Sequence, residues 1–308
     1  MNDELRSKRR LTALWAGLAL AIIVAGLNFT PAHRLARRFF QSLRMGKVQA
    51  VNVDLSNFVG PTADRSLQQM VSQMISNKVT VTVNEKTETA PTAAAAGQIA
   101  GFPVRLPSAE KDAPRLTVRG NHAFQLTVDR TRLEAIFKEA GRPDVALPQA
   151  IDGAVVAVRI PRTVVARYGN CPRPPSATAN VATPPPNSTE YSTCAVLSQS
   201  PSPVVDVPAG LDLEQLAQIG LELAGMTPDQ AHRFLGTVNW QATLGLPVPR
   251  FLRSYEAVKV NGVQGTLLNM AGRRGPTYTL VWAKAGMVYS LTGYGSPSDA
   301  VTVASSLQ

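Results

Sequence analysis

Residues 11–29, LTALWAGLALAIIVAGLNF, run for nineteen positions without a charge. A helix rising about 1.5 Å per residue carries such a run through about 28 Å, close to the thickness of a bilayer's hydrocarbon core. The first expectation is therefore a single transmembrane helix over residues 11–30. Residues 1–10 form a short tail, and the working fold must come from the chain beyond the anchor.

Arg6, Lys8, Arg9 and Arg10 favour a cytoplasmic tail. Arg34, Arg37, Arg38, Arg44 and Lys47 oppose them from the other side, so basic residues alone do not set the orientation. The cysteines do more. The chain has two, Cys171 and Cys194, flanking a Pro-rich stretch that a disulfide would restrain, which suits an oxidising compartment. The expected localisation is the inner (plasma) membrane, single-pass, with the N-terminus cytoplasmic and the bulk of the chain extracytoplasmic. A cleavable signal peptide begins in the same way, but no small-x-small site precedes the basic stretch, which favours an uncleaved anchor.

Residues 31–47 continue the anchor. Leu35, Phe39, Phe40 and Leu43 fall on one arc of a helix, and Arg34, Arg37, Arg38 and Arg44 on the other. This pattern fits an interfacial helix with its guanidinium groups at lipid headgroups, making membrane lipids the first expected partner. An amphipathic helix packed on the outer domain gives the same pattern.

The net charge of +10 raises the question of nucleic acid. Residues 1–47 hold nine basic and two acidic residues, and the remaining 22 basic and 19 acidic residues nearly balance. The excess thus belongs mainly to the membrane segment. Aromatic residues at 6% offer no stacking platform, so no nucleic-acid partner is expected.

Beyond the anchor the periodicities alternate between strand and helix, which predicts an α+β fold of antiparallel sheets packed with helices. Residues 48–169 read as a first α+β part: a strand from Val48, a helix over residues 66–78 capped by Thr62 or Asp64, then Val79, Val81 and Val83 in alternation. Residues 87–96 read as small and polar. A hairpin is expected about Gly120-Asn121, then a helix over residues 131–140 and a turn at Asp152-Gly153. Residues 170–203 are Pro-rich and bracketed by the cysteines, too polar to fold alone. Residues 204–308 read as a second part: two helices, with Thr227 as N-cap and Pro228 as N1 of the second, and a strand near Leu244 interrupted at Pro247. A four-stranded meander then turns at Asn261-Gly262 and Ala285-Gly286 and is closed by a C-terminal helix that starts at Ser296-Pro297.

No nucleophile elbow, zincin, Walker or dinucleotide signature is present. His33, His122 and His232 are scattered, so neither a metal nor a cofactor is expected. An extracytoplasmic hydrolase would need a cleft with converging acid, base and nucleophile; Asp152 and Asp206 are candidate carboxylates for it, although Asp-Gly before a strand is ordinary turn chemistry. Trp240, Trp282 and Tyr289 are expected in the core, and Arg273-Arg274 at a solvated hairpin tip.

Three pieces carry a resemblance. Residues 100–107 (AGFPVRLP), residues 260–267 (VNGVQGTL), and residues 278–289 around Trp282 with the terminal ASSL of 304–307 together resemble a domain-of-unknown-function family. That family occurs in the extracytoplasmic part of bacterial transmembrane anti-sigma factors and related membrane-anchored proteins. The resemblance implies an outer sensing or scaffolding domain with no catalytic side chain. It does not imply sigma-factor binding, since residues 1–10 are too few for the cytoplasmic zinc-binding domain such regulators use and hold neither His nor Cys. The expected function is a non-catalytic, membrane-anchored binding or sensing protein that serves as regulatory or accessory subunit to an envelope protein. The alternatives are a tethered lipid or acyl-chain carrier and an extracytoplasmic hydrolase.

Overall fold

The computed structural model describes residues 47–53, 64–171, 193–206, 208, 211, 213–223, 225–237, 243–249, 254–272, 275–294 and 296–308. The apolar run, the stretch holding Arg34, Leu35, Arg37, Arg38, Phe39, Phe40, Leu43 and Arg44, and the middle of the Pro-rich segment lie outside the described residues. Among the described residues no helix is long and apolar enough to cross a membrane.

The chain is α+β, with antiparallel sheets of eight and four strands. A separate parallel ribbon pairs β1 (Lys47–Val53) with β10 (Thr243–Pro249). Four long strands organise the rest, each bent in two. β2 (Val79–Asn84) continues into β3 (Glu88–Ala90), β4 (Arg115–Arg119) into β5 (His122–Thr127), β6 (Val155–Ile160) into β7 (Thr163–Tyr168), and β8 (Ala195–Pro201) into β9 (Val204–Asp206). One set of halves forms the four-stranded sheet β2-β5-β6-β9; the other lies in the same order, β3-β4-β7-β8, within the larger sheet. The larger sheet is completed by β11 (Ser254–Val260), β12 (Val263–Gly272), β13 (Gly275–Lys284) and β14 (Met287–Tyr294). β14 pairs with β8, Leu291 opposite Leu197, so strands from both sides of the Pro-rich segment share this sheet.

The meander is as expected. Its turns hold Asn261 and Gly262 at φ 47° and 82°, and Ala285 and Gly286 at 53° and 80°. Two successive left-handed residues match the twist of the flanking strands.

Three local expectations are corrected. Gly120-Asn121 is no hairpin: β4 pairs with β3 and β7, and β5 with β2 and β6, so the dipeptide marks a bend between sheets. Residues 87–96 contain β3 and the first half of a helix, α2 (Ala93–Ala100). Thr92 caps it by accepting the Ala95 N–H at 3.1 Å, and Gly101 ends it at φ 82°. The strand near Leu244 runs through Pro247, because β10 has a single paired partner and proline is tolerated where one side needs no donor.

α1 (Arg65–Lys78) starts at Asp64, whose carboxylate accepts the Ser66 and Leu67 N–H groups at 2.7 and 3.1 Å. Its Leu67, Val71, Met74 and Ile75 pack with Ile136 of α3 (Arg130–Glu139) against Phe124 and Leu126 of the small sheet. α4 (Leu213–Leu223) and α5 (Pro228–Thr237) bury Ala217, Leu221, Ala231 and Leu235 between them. Thr227 and Gln230 form a reciprocal capping box: the Thr227 hydroxyl accepts the Gln230 N–H at 3.2 Å, and the Gln230 side chain accepts the Thr227 N–H at 3.0 Å. α6 (Pro297–Ser305) and α2 cover one face of the large sheet, seating Ala96, Ala300 and Ala304 on Leu116, Val164, Leu197, Leu280 and Leu291.

Candidate functional site

Cys171 and Cys194 form a disulfide with Cα atoms 4.7 Å apart, closing the root of the Pro-rich segment beside Tyr168. Asp152 accepts the Arg130 N–H at 3.0 Å, and Asp206 pairs with Arg159 at 2.7 Å, so each carboxylate has a structural partner. Trp282 and Tyr289 stack in the core with ring centroids 5.2 Å apart. Trp240 and Arg273-Arg274 lie outside the described residues. Among the described residues no group of three His, Cys, Asp or Glu could hold a metal ion.

The inner face of the large sheet is sealed by a device that sequence reading missed. Gln199 is 1% exposed, yet its amide reads the backbone of a distant segment: its oxygen accepts the Arg105 N–H at 3.0 Å and its nitrogen donates to the Arg105 carbonyl at 2.9 Å. The next residues are tied to the C-terminus. The Gln308 N–H donates to the Leu106 carbonyl at 3.1 Å, and Ser108 N–H to that of Ser306 at 3.1 Å. Asn261 adds a side-chain bond to the Ser305 carbonyl at 2.9 Å. Residues 102–107, the Asn261 turn, Trp282 and the final ASSL are thus neighbours on one face.

The bend between sheets has its own network. Glu85 accepts the Asn121 N–H at 2.9 Å and the Asn121 side-chain amide at 3.0 Å, and takes the Arg162 guanidinium at 3.0 Å. Arg162 also donates to the Ile99 carbonyl at 2.6 Å, linking the bend to α2. Asn121, and then Arg162, hold the Glu85 carboxyl down at about 2. A side chain at Gly120 would strike Glu85, whose carbonyl carbon and oxygen lie 2.8 and 2.9 Å from the position of a Cβ. Glycine is required there by close approach.

The outer face of the large sheet is different in kind. The register places Thr89, Arg115, Thr117, Arg119, Thr163, Val165, Arg167, Ser198, Ser290, Thr292 and Lys259 on it. Its β12 and β13 portion buries Thr266, Leu268, Val281 and Ala283 where the β1–β10 ribbon packs. The portion over β4, β7 and β8 buries Val165, at 1% exposed, and sets around it the half-buried Thr117, Thr163, Arg167 and Ser198. Arg115 lies directly opposite Arg167, and both Arg115 and Arg119 are exposed. Burial lowers the affinity of Arg167 for its proton, and the positive charges of Arg119 and Arg115 lower it further. Among the described residues no carboxylate pairs with any of the three, and none stands on this face; Glu88 and Glu256 sit at registers of the opposite face.

An open groove of about 520 Å³ lies along α2, lined by Ala93, Ala94, Gly97, Phe102, Pro103 and Val104 among others.

No protein family description, no curated protein and no solved structure matches this chain.

Proposed function

We propose that this chain is a single-pass, membrane-anchored extracytoplasmic binding or sensing protein without catalytic activity, serving as a regulatory or accessory subunit of an envelope system. Residues 11–30 anchor it, the basic stretch with Arg34, Arg37, Arg38 and Arg44 lies at the headgroups, and the α+β part stands outside, as in the family whose pieces it resembles. The observation that carries the compartment is the Cys171–Cys194 disulfide, a linkage that persists in oxidising surroundings. Protease treatment of spheroplasts bearing a C-terminal tag, with non-reducing mass mapping of the cysteines, tests it. A digested tag and a linked pair are expected; a protected tag with free thiols overturns the reading and makes the large part cytoplasmic.

The groove along α2 supports a second reading, a tethered carrier for a lipid or acyl chain. Mass spectrometry of the protein extracted in mild detergent should then find bound lipid, and Gly97→Leu should abolish uptake of a fluorescent fatty acid. Absence of both sinks the carrier.

A further inference from the structure

We propose that the outer face of the large sheet, over β4, β7 and β8, binds an acidic glycan, its carboxylates held by Arg115, Arg119 and Arg167 and its hydroxyls by Thr117, Thr163 and Ser198. This rests on the reading of the chain as a binding module and names the ligand class.

The charge comes first. Arg115 and Arg167 face each other across neighbouring strands, about 5 Å apart at their Cα atoms. Like charges in that position repel, and a fold with no use for them gains by separating or pairing them. Here the Arg115 guanidinium is braced instead, donating to the Gly169 carbonyl at 3.4 Å. Arg119 stands four residues along β4 from Arg115, about 13 Å away. The face therefore offers two anchoring points for negative charge, with planar forks suited to carboxylates.

What lies between the anchors narrows the ligand. Thr117 is opposite Val165, which is opposite Ser198, and Thr163 is opposite Arg119; Val165 is itself buried, so the half-buried hydroxyls of Thr117, Thr163 and Ser198 are what this stretch offers beside the exposed Arg115 and Arg119. Hydroxyls donate and accept, which suits a polymer that is itself covered in hydroxyls. An acidic peptide laid over this face meets a difficulty: the sheet's backbone groups are already paired within it, so the peptide's amides would find few partners and each unpaired one is costly. A sugar chain has no such backbone. Nucleic acid would need aromatic platforms, and the one aromatic residue of these strands, Tyr168, is buried at a register of the opposite face.

The experiment uses the full chain in nanodiscs of neutral phosphatidylcholine, so that lipid charge does not compete. The probes are polygalacturonate, uncharged dextran and poly-L-glutamate. Polygalacturonate should bind and dextran should not, and binding should weaken as salt rises. Arg115→Ala/Arg119→Ala/Arg167→Ala should weaken it about tenfold or more. Replacing Arg34, Arg37, Arg38 and Arg44 by Ala removes more charge and should change it less than about twofold. Thr117→Val/Ser198→Val should weaken polygalacturonate and leave any poly-L-glutamate binding unchanged. Arg119→Glu, at an exposed position, gives the same directional test should the triple variant fail to fold.

Failure to bind polygalacturonate overturns the proposal. So does loss confined to the N-terminal variant, or poly-L-glutamate binding as tightly with no effect of the hydroxyl changes. A tag digested from outside with no glycan bound removes this inference alone, whereas glycan bound by a chain whose tag is protected removes the extracytoplasmic reading alone.

Discussion

Replacing Gln199 by Leu isolates what holds residues 102–107 against the sheet. Leucine nearly matches the volume of glutamine and keeps the site apolar, so no large cavity forms and the change falls on two hydrogen bonds, those to the Arg105 N–H at 3.0 Å and carbonyl at 2.9 Å. Each is worth about 0.5–1.5 kcal/mol net, and a backbone group left buried without a partner costs about 1–3 kcal/mol. Against this, the folded state no longer has to desolvate the amide of a residue that is 1% exposed. The balance is a destabilisation of about 1–3 kcal/mol, measured by urea unfolding with an unchanged m-value. A second readout is local. Because Leu106 accepts from Gln308 and Ser306 from Ser108, the amide protons of Arg105, Ser108 and Gln308 should all exchange faster in the variant, while those of Leu280 and Leu291 keep their order. Loss below about 0.5 kcal/mol with no change in exchange at Ser108 and Gln308 would refute the claim that one buried amide ties this segment and the C-terminus to the sheet.

Other named contacts give equally specific outcomes. Arg142→Ala should cost about 3–5 kcal/mol in chemical unfolding, because it leaves Glu222, whose side chain is 7% exposed, with the Gln218 amide but no cation, and removes the donor to the carbonyls of Glu222 and Met226 at 2.8 and 3.0 Å. Cys171→Ser/Cys194→Ser should cost about 3 kcal/mol by releasing a loop of sequence separation 23, read as a lower thermal midpoint that matches the reduced wild type. Tyr168→Phe should be neutral or slightly stabilising, since the Tyr168 hydroxyl is buried without a hydrogen-bond partner; a loss above about 1 kcal/mol would show that the hydroxyl has one. Acid titration should show two carboxylates acting with opposite sign. Glu85 is held at about 2, so its contribution is complete above the ordinary carboxylate range and is lost as pH falls from about 4.5 towards 2; Glu85→Gln should flatten that limb of the stability curve. Burial, and then Asp112, raise the pKa of Glu110, so its ionised form opposes folding at neutral pH and Glu110→Gln should raise stability at pH 7.

Local signals in the sequence reached as far as local physics does. Asp64 before an apolar repeat, the Asn261-Gly262 turn and Ser296-Pro297 each specify their element through bonds made within a few residues; the two turns are where the sequence reading placed them, and Asp64 is one of the two caps it offered. The disulfide followed from two cysteines alone in the chain. The failures share a cause too. Gly120-Asn121 carries hairpin residues, but what they satisfy is Glu85, 36 positions upstream of Asn121. Residues 195–201 share the polar composition of the Pro-rich segment before them, yet they form a central strand because β7 and β14 lie on either side. Gln199 reads as a loop glutamine until its partner 94 positions away is known. The arginine face was invisible for a related reason: Arg115 and Arg119 are spaced along one strand, and only the register adds Arg167 and excludes acids.

That exclusion can be traced to where the carboxylates are used. Asp64 caps α1, Glu85 holds the bend, and Asp129 caps α3 while taking Lys78 and Arg132. Asp144 and Glu222 take Arg142, Asp206 takes Arg159, and Asp152 takes the Arg130 N–H. All of these serve the smaller sheet, its helices or the bend line, where they complete caps and ion pairs. A surface selected only for solubility intersperses both signs. Here residues 48–308 nearly balance in total, with 22 basic and 19 acidic residues, yet the acids just named serve one half of the fold, and on the outer face of the other half Arg115, Arg119, Arg167 and Lys259 have no carboxylate partner among the described residues. The two faces of the large sheet are therefore not equivalent surfaces. The inner one is closed by α2, α6 and the Gln199 tie, with its polar atoms largely matched internally, whereas the outer one over β4 presents Arg115 and Arg119 at exposed positions with no carboxylate partner among the described residues.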